Sequence, residues 1–249
     1  MNIIDIAAAI GPMVTRGRAF KEAAELLNYM DEYNLTQAVA YHTYAKNDPA
    51  VGNNLIFEMA KKSNGRIRHC FVIDPPLDSN NLPSADAFIK ELSIVRPAAV
   101  RLFPHSQKLP LDPFYCGEIF EIFDALEIPV ILESGEYSFT ELPALLKEFK
   151  KVKLVLLRPG LNMARVTYSL LRKTENVYFD ISTMDDAGLL DELVNKFGAE
   201  RFLFSSGLPQ FEPSGPLGLV KYARISDGDK EKILGINWLK MEADTKWII

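Results

Sequence analysis

Cysteine is nearly missing: Cys70 and Cys116 are the only two in 249 residues, far apart and each among apolar neighbours. That excludes a disulfide framework and a zinc ribbon, which need clustered thiols, and marks both as small buried hydrophobes rather than nucleophiles. A basic surplus is missing too. The 28 Lys and Arg against 33 Asp and Glu leave a net charge of −5, so nucleic acid is excluded as the main partner, because phosphate binding needs a clustered cationic face. The nearest thing to one, Lys147, Lys150, Lys151 and Lys153, reads as the solvated end of a helix. No run approaches the ~20 apolar residues of a membrane span, and the opening MNIIDIAAAIGP lacks the basic start and long apolar stretch of a signal peptide. A cytoplasmic protein with no membrane partner is the expectation. Two catalytic signatures are also absent. No G-x-G-x-x-G follows the first strand, which removes the main sign of a dinucleotide fold, and no G-x-S-x-G elbow accompanies any serine.

What is present is ordinary for a folded chain: 48% hydrophobic and 24% charged residues, enough for a sizeable core. The apolar runs alternate between two periods. Short strand-like runs fall at 3–6 (continuing through Ala7, Ala8 and Ala9), 38–41, 70–73, 98–103, 129–132, 154–157, 177–181 and 202–204. Between them, helical spacing appears at 19–33, 55–62, 85–95, 116–126, 141–149, 164–171 and 189–197. The tail at 227–241, with Ile233, Ile236, Trp238 and Leu239 on an amphipathic pattern, reads as the closing helix. Turns are marked by Asn47-Asp48-Pro49, by Asp74-Pro75-Pro76 and the Asp-, Ser-, Asn- and Pro-rich loop after it, and by Ser205, Ser206 and Gly207. Strict alternation without a long linker predicts α/β architecture: a single (β/α)8 TIM barrel in one domain over residues 1–249.

In such a barrel the site lies at the carboxyl ends of the strands. There the sequence presents His42, Arg101, His105, Glu133, Arg158, Asp180 and Ser206. Arg101 and Arg158 are permanently charged forks suited to a carboxylate or phosphate; the alternative is that Arg101 pairs internally with Glu133 or Asp180. Glu133 is the first candidate for general acid or base, or else a structural partner of Arg158. His42 is a second proton carrier, while His105 is either an anion-binding or an idle loop residue. Ser206 becomes a nucleophile only if a base reaches it. Tyr41, Tyr44, Phe103, Asn53 and Asn54 read as packing.

The wording of IDIAAAIGP, AAVRLFP, IPVILESG, LVLLRPG, NVYFDIS and RFLFSSGLP, with ISDGDKEKILGINWLKM near the end, resembles the amidohydrolase superfamily, in its amidohydrolase-related branch of carboxylate decarboxylases and lactonases. The resemblance implies a barrel of metal-dependent hydrolase type. Its ligands would be a His-x-His pair on strand one, a His on each of strands five and six, and an Asp on strand eight. At those positions this sequence has Ala7, Ala9, Glu133, Arg158 and Gly207. Methyl groups and glycine donate no electron pairs, and a guanidinium repels a cation, so neither a metal nor another cofactor is expected. Two readings follow: a metal-independent hydrolase or lyase of a small anionic carboxylate or lactone, or a catalytically silent barrel that binds a metabolite or protein partner. A metallohydrolase with His42, His105 and Glu133 as rearranged ligands ranks below both. Nothing in the sequence specifies a homo-oligomer, which stays open.

Overall fold

The structure is a computed structural model that describes residues 2–13, 18–75, 85–160, 163–184 and 186–248. The loop expected after Asp74 falls largely at 76–84, outside the described residues. Eight parallel strands form one sheet in sequence order: β1 (Ile4–Ile10), β2 (Gln37–His42), β3 (Ile67–Val72), β4 (Ala99–Leu102), β5 (Pro129–Glu133), β6 (Lys153–Leu157), β7 (Val177–Asp180) and β8 (Phe202–Leu203). Bonds from Ile6 N to Phe204 O (3.3 Å) and Ala9 N to Leu208 O (2.9 Å) bring the chain after β8 back against β1. The expected barrel is present.

Helices α1 (Ala23–Glu32), α2 (Pro49–Lys61), α3 (Ala85–Val95), α4 (Pro104–Gln107), α5 (Pro113–Leu126), α6 (Leu142–Glu148), α7 (Ala164–Lys173) and α8 (Leu189–Phe197) connect the strands, with α4 and α5 both between β4 and β5. Two of them start on the same local chemistry. Asp48 accepts from Val51 N and Asp112 from Phe114 N, each just before a proline whose fixed φ suits the first helical turn.

Most strand positions are buried on both faces, so the runs are largely apolar. Val155 and Leu157 point into the barrel with Val39, Cys70, Val72, Ile131 and Leu203, while Leu154 and Leu156 pack outward against the helices. In β1 the register shifts between Asp5 and Ala8. Ile4 and Ile6 join the interior cluster before the shift, and Ala7 and Ala9 continue it after.

The tail differs from expectation. An additional helix, α9 (Ser214–Tyr222), precedes α10 (Asp227–Glu231), a π-helical turn at Lys232–Ile236, and α11 (Asn237–Ala243). The wide turn changes the helical phase. Ile233, Leu234, Trp238 and Met241 are buried, whereas Ile236 and Leu239, expected on the same face, are exposed. Trp238 and Met241 plug the amino-terminal end of the barrel. There Lys153 also departs from the solvated run assigned to it. It opens β6, is buried, and donates to Met241 O at 3.0 Å, because the last turn of α11 offers carbonyls without helical partners.

Candidate functional site

The carboxyl end of the barrel is built around one carboxylate. Arg101 of β4 is level with Ile131 of β5, two residues before Glu133, so Arg101 and Glu133 both point inward near the carboxyl ends of their strands. Glu133 Oε2 receives Arg101, and its Oε1 receives Arg158 from the position after β6. The Arg101 guanidinium lies 4.4 Å from the Tyr41 ring centre and 5.1 Å from that of Phe103. Those two aromatics, expected to serve only packing, form the walls that hold it. Glu133 pairs with both arginines, which is one of the two alternatives stated for it and for Arg101.

Arg158 is set by its backbone. Its φ of +45° is in the left-handed region, and its amide donates to Asp180 Oδ2 at 3.0 Å. Its head spans the space beside Gly207 and lies 5.5 Å from the Phe211 ring. A Cβ on Gly207 would fall 2.4 Å from Arg158 Nη1, and the φ of +77° there already favours glycine. Gly207 is therefore the space that the guanidinium occupies.

Two further carboxyls are fully buried next to this cluster. Asp180 accepts from Arg158 N, from Ser182 N (2.7 Å) and from Ser182 Oγ (2.6 Å). Asp5 accepts from Ala7 N (3.0 Å), Ser206 N (3.1 Å) and Ser206 Oγ. Burial raises the proton affinity of both above the ordinary carboxylate range; their hydrogen bonds oppose this, and for Asp5 the nearby Asp180 charge adds to it. Burial also lowers the Arg158 pKa, with Arg101 next among the causes.

The remaining expected residues take other partners. His42 is buried at the end of β2 against Gly11 and Tyr44. Its Nδ1 accepts from Tyr44 N at 3.2 Å, which leaves the proton of the neutral ring on Nε2. Burial lowers its pKa, so His42 presents a donor rather than a base. His105 is exposed on α4, beside a cavity of about 640 Å³ that Lys108, Glu136, Tyr137 and Glu141 also line. Ser206 donates to Asp5 and receives Leu208 N at 3.1 Å; none of its hydrogen-bond partners is a histidine. Burial pushes the Cys70 and Cys116 thiols up to about 12, consistent with their reading as inert.

Sequence reasoning missed Asp5, Tyr41, Phe103, Phe211 and Tyr137. Asp5 alone carried a signal: a charge in the middle of an otherwise apolar strand must have a partner.

Residues 11–240 match the amidohydrolase family, so the chain is a member of it. No curated protein matches the sequence. Solved structures share the fold along nearly their whole length. The chain is 14% identical to 5-carboxyvanillate decarboxylase from Sphingomonas paucimobilis, with a TM-score of 0.77 over 97% of this chain and 99% of that one. Dihydroxybenzoic acid decarboxylase from Polaromonas sp. JS666, solved with bound manganese and 2-nitroresorcinol, is 16% identical, with a TM-score of 0.76 over 98% and 97%. 4-Oxalomesaconate hydratase from Rhodopseudomonas palustris is also 16% identical, with a TM-score of 0.69 over 97% and 96%.

Proposed function

We propose that this amidohydrolase-family barrel is a hydrolase or lyase of a small carboxylate or lactone, and that it works without a divalent metal. The observation that carries the reading is the sharing of Glu133 between Arg101 and Arg158. Arg101 and Arg158 converge on the one Glu133 carboxylate, and a substrate carboxylate can take the place of Glu133 on one guanidinium, whose fork of donors suits it. The decarboxylase and hydratase relatives, whose names denote carboxylated compounds, are consistent with that class.

The donor set does not suit a metal. Ala7, Ala9 and Gly207 bring no donor atoms, Arg158 brings a cation, and both Glu133 oxygens are engaged by guanidiniums. Among the described residues no group of three or more His, Cys, Asp or Glu side chains is arranged to hold an ion. Substrate orientation falls to Arg101 and Arg158, and Glu133 becomes free to move a proton once an anion has replaced it on one guanidinium.

That condition also favours a second reading. With both oxygens of Glu133 held, the mouth can act as an anion receptor with no turnover. The test is a panel of lactones, esters and carboxylated compounds offered to protein expressed with zinc, manganese and iron available, alongside elemental analysis. Turnover that survives chelation and is lost in Glu133→Gln supports the metal-free enzyme. Turnover abolished by chelation and restored by one stoichiometric metal overturns it, and anion binding without turnover selects the receptor.

A further inference from the structure

The outer wall of the barrel carries a groove of about 880 Å³ between α6 and α7, away from the strand ends that hold Glu133. α6 packs on α5 and α7 on α8, so neither helix closes the space between them. The floor of the groove is apolar. Leu146 and Leu170 are buried there as part of the core, and Phe139 and Val166 are half-buried against it. Ser169, Thr174 and Asn176 also line it, but their side chains are occupied by the backbone, donating to Arg165 O (2.9 Å), Leu170 O (2.8 Å) and Phe149 O (3.0 Å).

The charged lining has one sign. Lys147, Lys150, Arg165 and Lys173 are exposed along the groove, with Glu175 the single acid among them. Among the described residues, none of the four cations has an ion pair or a hydrogen bond on its side chain. In a chain of net charge −5, these four concentrate a local field opposite in sign to that of the whole. Lysines in the last turns of helices also offset helix dipoles, each equivalent to about half a negative charge. The ends of α6 and α7, together with Glu175, therefore answer only part of the four charges.

The polarity also runs lengthwise. Lys147, Lys150 and Lys173 stand at or just past the carboxyl ends of the two helices, whereas Phe139 and Val166 lie near their starts. Helices of seven and ten residues extend about 10–15 Å at 1.5 Å per residue. That is short for a peptide helix, which is marginal below ~12–15 residues, whereas the volume falls within the ~300–1,000 Å³ of small-molecule sites.

We propose that the α6–α7 groove binds a small amphipathic organic phosphate, its apolar tail on Phe139, Leu146, Val166 and Leu170 and its head among Lys147, Lys150 and Lys173. A phosphate carries about −1.5 to −2 at pH 7, which three ammoniums match better than they match the single charge of a carboxylate. The site is independent of the arginine pair at the mouth.

Calorimetric titration with octyl phosphate, butyl phosphate, octanol and inorganic phosphate, in excess succinate to occupy the mouth, tests this. Each methylene fully removed from water is worth roughly fourfold in affinity, so even in an open groove octyl phosphate should bind one to one and at least about tenfold tighter than butyl phosphate. Octanol and inorganic phosphate, each lacking one half of the amphiphile, should bind at least about tenfold more weakly than octyl phosphate. Lys147→Gln with Lys150→Gln changes only exposed side chains, so it should leave the melting temperature unchanged while lowering octyl phosphate affinity at least about tenfold. Lys173→Gln is the second variant, with the same direction expected. Octanol binding as tightly as octyl phosphate, displacement of octyl phosphate by succinate, or an affinity that neither lysine variant moves overturns the site. Protein that does not bind octyl phosphate overturns it too, and dimerisation, binding of an acidic peptide or binding of phosphatidylcholine vesicles containing phosphatidate, if lost in the same variants, would then assign the groove to that occupant instead.

Discussion

Glu133→Gln is the sharpest perturbation of this architecture, because it removes one negative charge and leaves two guanidiniums facing each other. The side chains of Arg101, Arg158 and Glu133 are only 4%, 15% and 23% exposed, so water can do little to compensate. A unit pair at ~4 Å attracts by about 4 kcal/mol at an effective dielectric near 20, and removing one partner of a buried pair typically costs about 3–5 kcal/mol. The amide keeps one acceptor but offers its other end as a donor to a donor. A loss of about 3–5 kcal/mol is therefore expected, or roughly 6–20 °C in melting temperature at about 2–4 °C per kcal/mol for a chain of this size. Thermal and urea unfolding at pH 7 measure it. Succinate at about 100 times its dissociation constant should return about 2.7 kcal/mol to the variant by completing the site. Replacing all three residues by apolar ones of similar volume, Arg101→Met, Glu133→Leu and Arg158→Met together, should cost less than the single change, since no charge is then left unpaired. A Glu133→Gln loss under about 1 kcal/mol would refute the reasoning, because it would mean that solvent already balances the arginines.

Three further outcomes follow from the same geometry. Gly207→Ala forces a side chain into a left-handed backbone 2.4 Å from Arg158 Nη1; a loss of at least about 1–2 kcal/mol is expected from the backbone alone, with weakened anion binding by titration. Burial lowers the pKa of His69 to about 4, below its unfolded value, so its contribution of roughly 3 kcal/mol is present above about pH 6.5 and is lost as pH falls towards 4. His69→Phe, which keeps the ring contacts to Phe57 and Phe71, should flatten that part of the acid limb in urea unfolding at pH 7 and 4.5. In Gly52→Ala a new Cβ would meet Ala45 N at 2.2 Å, and overpacking of about 1–3 kcal/mol should appear as a lower urea midpoint with unchanged slope.

Why these features were unevenly visible in the sequence is itself a matter of periodicity. The strands were legible because short apolar runs end at turn residues, and the barrel followed from their number and alternation. Which face of a run looks inward was not legible, since a strand buried on both sides shows no alternation to read. That is why Leu154 and Val155 were indistinguishable, and why the register shift in β1, with the carboxyl of Asp5 bound to Ser206, left no trace beyond one unexplained acid in IIDIAAAI. The tail failed for a related reason: a single π-helical turn rotates everything after it, so a 3.6-residue pattern carried through Lys232–Ile236 assigns Ile236 and Leu239 to the wrong side. Lys153 shows that a run of like charges does not reveal where a helix ends and a strand begins. At the mouth, residue types that pair were visible at each strand end, and the Arg101–Glu133 and Arg158–Glu133 pairings were both among the alternatives. Their sharing of one carboxylate was not, because it depends on how the ends of β4, β5 and β6 register against one another.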